Sequence, residues 1–343
     1  MEHLASPLPD NNDKELAAPE SVTGVYPPKF EKQDPASNIW MKSFTSLALY
    51  LAFGYYIFKR WDMLLLITAI VMIHELGHFF AMKYFRYNDL GIFFIPLLGA
   101  YVSGRKREVS QKQSAIILLA GPLPGMIIGI ILYILEQQSP GSTLFGIPVF
   151  RMSILFVLLN LINLFPVYPL DGGQLLNRVF LEEESWVSNI FIFLSAGLMC
   201  WLAWNLYASS HQPLYFTLLL FPLMMLLRLQ TDSRYKTVEK RLESEQINTD
   251  VSYEDLSNED YWRIRNILIE EQPGFRDFNP SPPYEYHPKE ERIMTIIQSL
   301  LHRNLIQDVS ITGKIFILLI WGTAIASPWL LKMDMSFLNR LGY

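Results

Sequence analysis

"VMIHELGHFF", residues 71–80, sets two histidines and a glutamate inside an apolar run. Each charged group placed in hydrocarbon costs roughly 2.5–3.5 kcal/mol on insertion scales, so these side chains need a compensating partner. On a helix His74 and His78 lie on one face, one turn apart. That spacing lets both imidazoles reach one Zn²⁺. Glu75 falls beside them, where a carboxylate can hold a water molecule and take its proton. The bland alternatives are a chance five-residue match or two histidines satisfied by packing. The apolar setting argues against both, because an ionised Glu in a span needs a partner.

The flanking sequence fits a membrane protein. Hydrophobic residues make up 51% of the 343 and charged residues 18%, the latter below the roughly 25% of soluble domains. The apolar residues are clumped into runs long enough to span a bilayer. We read spans at about 44–58, 62–85, 114–135, 147–166, 187–208, 213–229 and 312–332. A net charge of −5 gives no electrostatic footprint for nucleic acid. The single cysteine, Cys200, excludes a disulfide framework and a Cys-rich metal site. No apolar signal-peptide core precedes Trp40.

Four regions follow. Residues 1–42 read as a disordered, Pro-rich arm. Residues 43–229 form the membrane domain, with 90–104 ("LGIFFIPLLGAYVSG") as a membrane-dipping hairpin, since Pro96 and three glycines break any helix there. Residues 230–311 form a polar, acidic insertion with amphipathic helices near 257–271 and 288–307. Residues 312–343 are a last span and tail. The basic loop "RKREVSQK" (105–112), set against loops 136–142 and 209–213 that carry no Lys or Arg, puts 105–112, 167–186 and 230–311 in the cytosol. "KR" at 59–60 dissents. His78 lies five to eight residues before Lys83 and Arg86. At 1.5 Å per residue it sits roughly 8–12 Å below the cytosolic surface.

Two histidines leave a third protein ligand to find, because a catalytic zinc takes three plus water. His3, His211, His287 and His302 fall outside the spans. The acidic residues at span ends are Asp62, Asp89, Glu136 and Asp171. Asp171 sits in "NLINLFPVYPLDGGQ" (160–174), where Pro166 and Pro169 break the helix and Gly172 and Gly173 allow close backbone approach. Such a break suits a ligand; a solvated Asp in a helix-ending loop is the alternative.

"HELGH", "AGPLPG" (120–125) and "NLFPVYPLDGG" (163–173) together resemble the three signatures of the site-2 protease family of intramembrane zinc metalloproteases, peptidase family M50. The likeness covers about residues 62–180 as a three-helix catalytic core. It implies an all-α multi-pass membrane protein of about seven transmembrane helices, and an endopeptidase that cleaves membrane-spanning protein substrates in regulated intramembrane proteolysis. It implies Zn²⁺ held by His74, His78 and Asp171, with Glu75 as general base. It also implies that Asn163 binds substrate backbone or the oxyanion, and that the 90–104 hairpin pairs with an unwound substrate strand. Pro124 departs from the family's glycine motif, and for Gly121 and Gly125 we expect only close helix packing. No PDZ or CBS module is evident. The expected setting is a prokaryotic plasma membrane with the site towards the cytosol. The rival functions are a catalytically silent scaffold or chaperone of the same fold, or a transporter. An intact general base argues against the first, and the lack of a two-halves repeat against the second.

Overall fold

The computed structural model describes residues 26–31, 39–96, 98–106, 109–181, 185–249, 251, 253–275, 277–301 and 305–333. Helix α1 spans Ile39–Phe58 and α2 spans Trp61–Tyr84. Strands β1 (Asn88–Ile95) and β2 (Gly99–Arg105) then form an antiparallel hairpin in which Phe94 faces Ala100 and Ile95 faces Gly99. This is the hairpin expected from the broken apolar run at 90–104. Its tight end uses Gly99 at φ +105°, a conformation that favours glycine. The hairpin rests against α1: the Phe94 amide donates to the Ser46 hydroxyl, and Tyr50 meets the Phe94 ring.

The single span expected at 114–135 is a broken rod, α3 (Gln111–Ala120) and α4 (Pro122–Gln138). Pro122 and Pro124 carry no N–H for the carbonyls one turn back, Leu118 and Ala120, which interrupts the ladder at this point. A short hairpin follows, β4 (Thr143–Leu144) with β5 (Ile147–Pro148), and then α5 (Val149–Leu164). A loop over 165–170 leads into α6 (Asp171–Leu175), which continues as a wide turn to Phe180. Then come α7 (Trp186–Ser210), a 3₁₀ segment (Pro213–Leu219) and α8 (Leu220–Ser244).

Among the described residues, four helices are long and apolar enough to cross a membrane: α2, α3–α4 as one rod, α7, and the last helix α11 (Ile311–Leu330). The other three expected spans differ for local reasons. Lys42, Ser43, Thr45 and Ser46 dilute the first turns of α1. Helix α5 is cut at 16 residues, just before Pro166. The 213–229 run begins as a 3₁₀ turn. The large side chains left exposed on α7 (Phe193, Leu194, Trp201, Trp204) and α11 (Phe316, Leu319, Trp329) form the lipid-facing surface.

The membrane core joins α3, α4, α5, α6 and α11 through Ala115, Met126, Val157, Leu164, Leu175 and Trp321. The Trp321 indole donates to the Leu164 carbonyl at 2.8 Å, fixing α11 against the end of α5.

The insertion has a separate core built from the later turns of α8, from α9 (Asn258–Glu271) and from α10 (Glu290–Leu300). It does not start with a new element at 230, because α8 runs unbroken from the membrane into it. The capping signal at Ser257 is real: its hydroxyl accepts from the Asp260 amide at 2.9 Å, and α9 starts one residue later. Helix α10 is shorter than the 288–307 read from periodicity. After it the chain extends as β6 (Leu305–Ile306), in parallel register with β3 (Val109–Ser110). Asp308 then accepts from the Ser110 hydroxyl at 2.6 Å and from the Lys112 amide at 3.1 Å, which ties the insertion to the first turn of α3.

Within the arm read as disordered over 1–42, only residues 26–31 and 39–42 are described. Residues 1–25 and 32–38 lie outside the described residues. Residues 26–31 lie on the insertion, where Tyr26 and Phe30 pack against its core, and α1 begins at Ile39. Paired aromatics outweigh the polar average of this arm, and composition alone does not register them.

Candidate metal centre

Helix α2 presents His74, Glu75 and His78 on a buried face; each is under a tenth exposed. Asp171, first residue of α6, arrives from about a hundred positions later. One ligand atom from each of His74, His78 and Asp171 lies within 4.8 Å of the others. The two Nε2 atoms are 3.1 Å apart, and Asp171 Oδ2 is 3.0 Å from one and 3.3 Å from the other.

The outer nitrogens fix what the inner ones are. His74 Nδ1 lies 2.9 Å from Asn160 Oδ1, an acceptor, while the Asn160 amide group donates to the Phe156 carbonyl at 2.7 Å. His78 Nδ1 lies 2.8 Å from the Ile117 carbonyl. In neutral imidazoles both protons therefore sit on Nδ1, and both Nε2 atoms carry bare lone pairs. In that state two lone pairs and a carboxylate oxygen would converge with no hydrogen between them, and Asp171 Oδ2 is buried with no other hydrogen-bond donor. A cation resolves this arrangement. Corners of a tetrahedron around Zn²⁺ with bonds of about 2.0–2.1 Å lie roughly 3.3–3.4 Å apart, close to the spacing here. The donor set of two imidazoles and one carboxylate, with each His oriented by a partner on its far nitrogen, fits zinc.

Glycines let the helices close on this centre. A Cβ at Gly121 would lie 2.3 Å from His78 Nε2, one at Gly125 would lie 2.1 Å from Asn160 Nδ2, and one at Gly77 would lie 1.9 Å from the Ala120 carbonyl oxygen. The close packing expected of Gly121 and Gly125 is present, and what packs there is the site itself. At Gly172 a Cβ would fall 2.0 Å from the Leu164 carbonyl oxygen, so the turn that delivers Asp171 requires glycine. The loop before it is pinned to α7, with the Tyr168 amide donating to the buried Ser195 hydroxyl.

The structure thus brings His74, His78 and Asp171 together, with Glu75 buried on the same helix. The Asn163 amide donates to the Leu159 carbonyl in its own helix, and among the described hydrogen bonds it makes none to these four residues. Asn160, which orients His74, was missed by sequence reasoning. A signal existed. Phe156, Asn160 and Leu164 recur every four residues, and all three are buried. An Asn on an otherwise apolar inward stripe marks a group with a buried partner.

Four helices long and apolar enough to cross a membrane, with a buried group of two imidazoles and a carboxylate, define an integral membrane protein with a candidate metal centre. The model of peptidase family M50 matches residues 62–150. Two curated relatives agree: a zinc metalloprotease of Methanocaldococcus jannaschii, 28% identical over 139 residues (40% of each chain), and the stage IV sporulation protein FB of Bacillus subtilis, 31% identical over 122 residues (35% of this chain and 41% of the relative). The chain spans about two fifths of the length of these relatives. A solved site-2 protease from Methanocaldococcus jannaschii is similar at 24% identity and a TM-score of 0.38, covering 54% of this chain and 84% of that one. The family match and the two relatives thus liken part of this chain to the peptidases of family M50.

Proposed function

We propose that this protein is an intramembrane zinc metalloendopeptidase that cleaves membrane-inserted protein substrates from the cytosolic side of a prokaryotic plasma membrane. The observation that carries the reading is the convergence of one ligand atom each from His74, His78 and Asp171 within 4.8 Å of one another, beside the buried Glu75. A scaffold has no use for such a centre.

His74, His78 and Asp171 would hold the zinc. When bound, it supplies Lewis acidity and lowers the pKa of water towards about 7. Glu75 takes a proton from the attacking water and passes it to the leaving amine. Asn163, with one amide hydrogen still available after its bond to Leu159, donates to the developing oxyanion. The β1–β2 hairpin offers extended backbone to an unwound substrate segment, since a helical substrate hides its carbonyls in its own hydrogen bonds. Gly121, Gly125 and Gly172 keep the site tight.

The test is a proteoliposome assay with a membrane-spanning substrate. Glu75→Gln should keep about one zinc per chain and lose cleavage by roughly 10²–10⁴-fold. If Glu75→Gln cleaves as well as the unaltered protein, the reading fails.

A further inference from the structure

The contact between residues 26–31 and the insertion is built like a ligand complex. With the segment in place, Trp262, Tyr261, Ile264, Leu268 and Ile293 are buried in the core of the insertion, while Tyr26 and Phe30 pack on it only partly buried. The segment lies on the surface, yet its backbone is met point by point. The Trp262 indole donates to the Pro27 carbonyl at 2.9 Å, the Tyr286 hydroxyl to the Pro28 carbonyl, and the Tyr253 hydroxyl to the Phe30 carbonyl. The Lys29 amide donates to Asn258 Oδ1 at 2.9 Å.

One side chain is read as well. Lys29 Nζ donates to the carbonyls of Glu254 (2.6 Å) and Leu256 (2.8 Å) and stands 5.7 Å from the centre of the Tyr253 ring. Two carbonyls and a ring face make a cation pocket. On either side, Tyr26 meets Tyr284 edge-on and Phe30 meets Tyr286 edge-on. Burial, reinforced by the charge of Glu290, raises the Tyr253 and Tyr286 pKa values, so both hydroxyls remain donors. Pro27 and Pro28 have fixed φ and hold the residue before each of them extended, so the segment loses little entropy on docking. Aromatic donors reading the carbonyls of a preorganised Pro-rich strand are a recurring peptide-recognition mode.

We propose that the aromatic face of the insertion is a docking site for extended segments of the pattern aromatic-Pro-Pro-Lys-aromatic, self-occupied here by Tyr26–Glu31 and open in trans to the same pattern on a partner chain. This inference is independent of the metal centre and of the protease reading.

The probe is a fluorescent, end-blocked hexapeptide with the sequence of residues 26–31. It is titrated by anisotropy into the full chain in lipid nanodiscs. In the unaltered protein the tethered segment competes at an effective concentration on the order of millimolar, so the peptide binds weakly. A chain carrying Lys29→Ala and Phe30→Ala should bind it about tenfold or more tighter. Adding Asn258→Ala on the exposed rim of the site should then weaken binding roughly 2- to 10-fold. If the double variant binds the peptide no better than the unaltered chain, or Asn258→Ala makes no difference, the proposal is overturned. Unfolding of the insertion in the double variant overturns it too, since the segment would then be part of the core rather than a ligand.

Discussion

Replacing Asn160 by Ala probes the centre without touching a zinc-binding group. Asn160 is 1% exposed. Its Oδ1 takes the His74 Nδ1 proton, and its amide is anchored on Phe156, so the acceptor cannot rotate away. In Asn160→Ala the His74 Nδ1–H faces apolar surroundings. The imidazole then gains by moving the proton to Nε2, where Asp171 Oδ2 lies 3.0 Å away and His78 Nε2 3.1 Å away. That tautomer has no free lone pair at Nε2, the nitrogen that faces His78 and Asp171. Zinc must reverse it and leave a buried N–H unpaired, at about 1–3 kcal/mol. Loss of such an orienting partner costs metal sites roughly 10- to 100-fold in affinity. The assay is competition against a calibrated zinc chelator on the purified full chain. Asn163→Ala serves as control: it should leave zinc affinity within about twofold while cleavage falls on the order of 10²-fold or more. If Asn160→Ala remains folded and binds zinc within twofold of the unaltered chain, the tautomer argument is wrong.

Further outcomes follow from other contacts. Gly125→Ala forces a Cβ to 2.1 Å from Asn160 Nδ2; it should lower zinc affinity as Asn160→Ala does, whereas Gly197→Ala, which meets nothing within 4 Å, should leave it unchanged in the same chelator assay. Chelation should lower the melting temperature, and zinc restored to about 100 times its dissociation constant should return roughly 2.7 kcal/mol, read by thermal unfolding. The Arg265–Glu290 pair is buried at 2.6 Å, and Tyr261 also donates to that carboxylate. Glu290→Ala strands a buried guanidinium and should destabilise the insertion by about 3–5 kcal/mol, seen as faster amide exchange across α9 and α10. Burial pushes the Asp308 carboxyl up, but the hydrogen bonds from Ser110 and Lys112 outweigh it and hold its pKa below the usual carboxylate range. Its contribution is therefore present above the unfolded value of about 3.9 and lost as pH falls through the folded pKa. Acid, or Asp308→Ala at neutral pH, should raise protease sensitivity between α10 and α11.

The two asparagines show where sequence reading stops. Asn160 and Asn163 are three apart on one helix, so periodicity puts both near the same face and cannot rank them. Only the arrival of His74, 86 residues earlier in the chain, distinguishes Asn160. Two of the expected spans fall short for a local reason instead. Apolar composition over 147–166 and 213–229 reads as spanning length, but Pro166 and a 3₁₀ turn, both local backbone facts, shorten the helices. The described segment 26–31 lies within the polar arm. Its polarity reads as disorder, because partners for Tyr26 and Phe30 lie more than two hundred positions away.

The sequence by itself determined whatever depends on short range and on period. The four-residue step sets His74 and His78 on one helical face with Glu75 beside them. The apolar runs demand a membrane, and the prolines and glycines at 166–173 set Asp171 at a break. Tertiary structure alone decided which groups complete the site. Asn160 and the Ile117 carbonyl orient the imidazoles, Gly121 and Gly125 make room for them, and residues 26–31 dock on the surface of the insertion. Those are contacts between distant parts of the chain, and they are selected by packing and hydrogen-bond satisfaction, which no local pattern encodes.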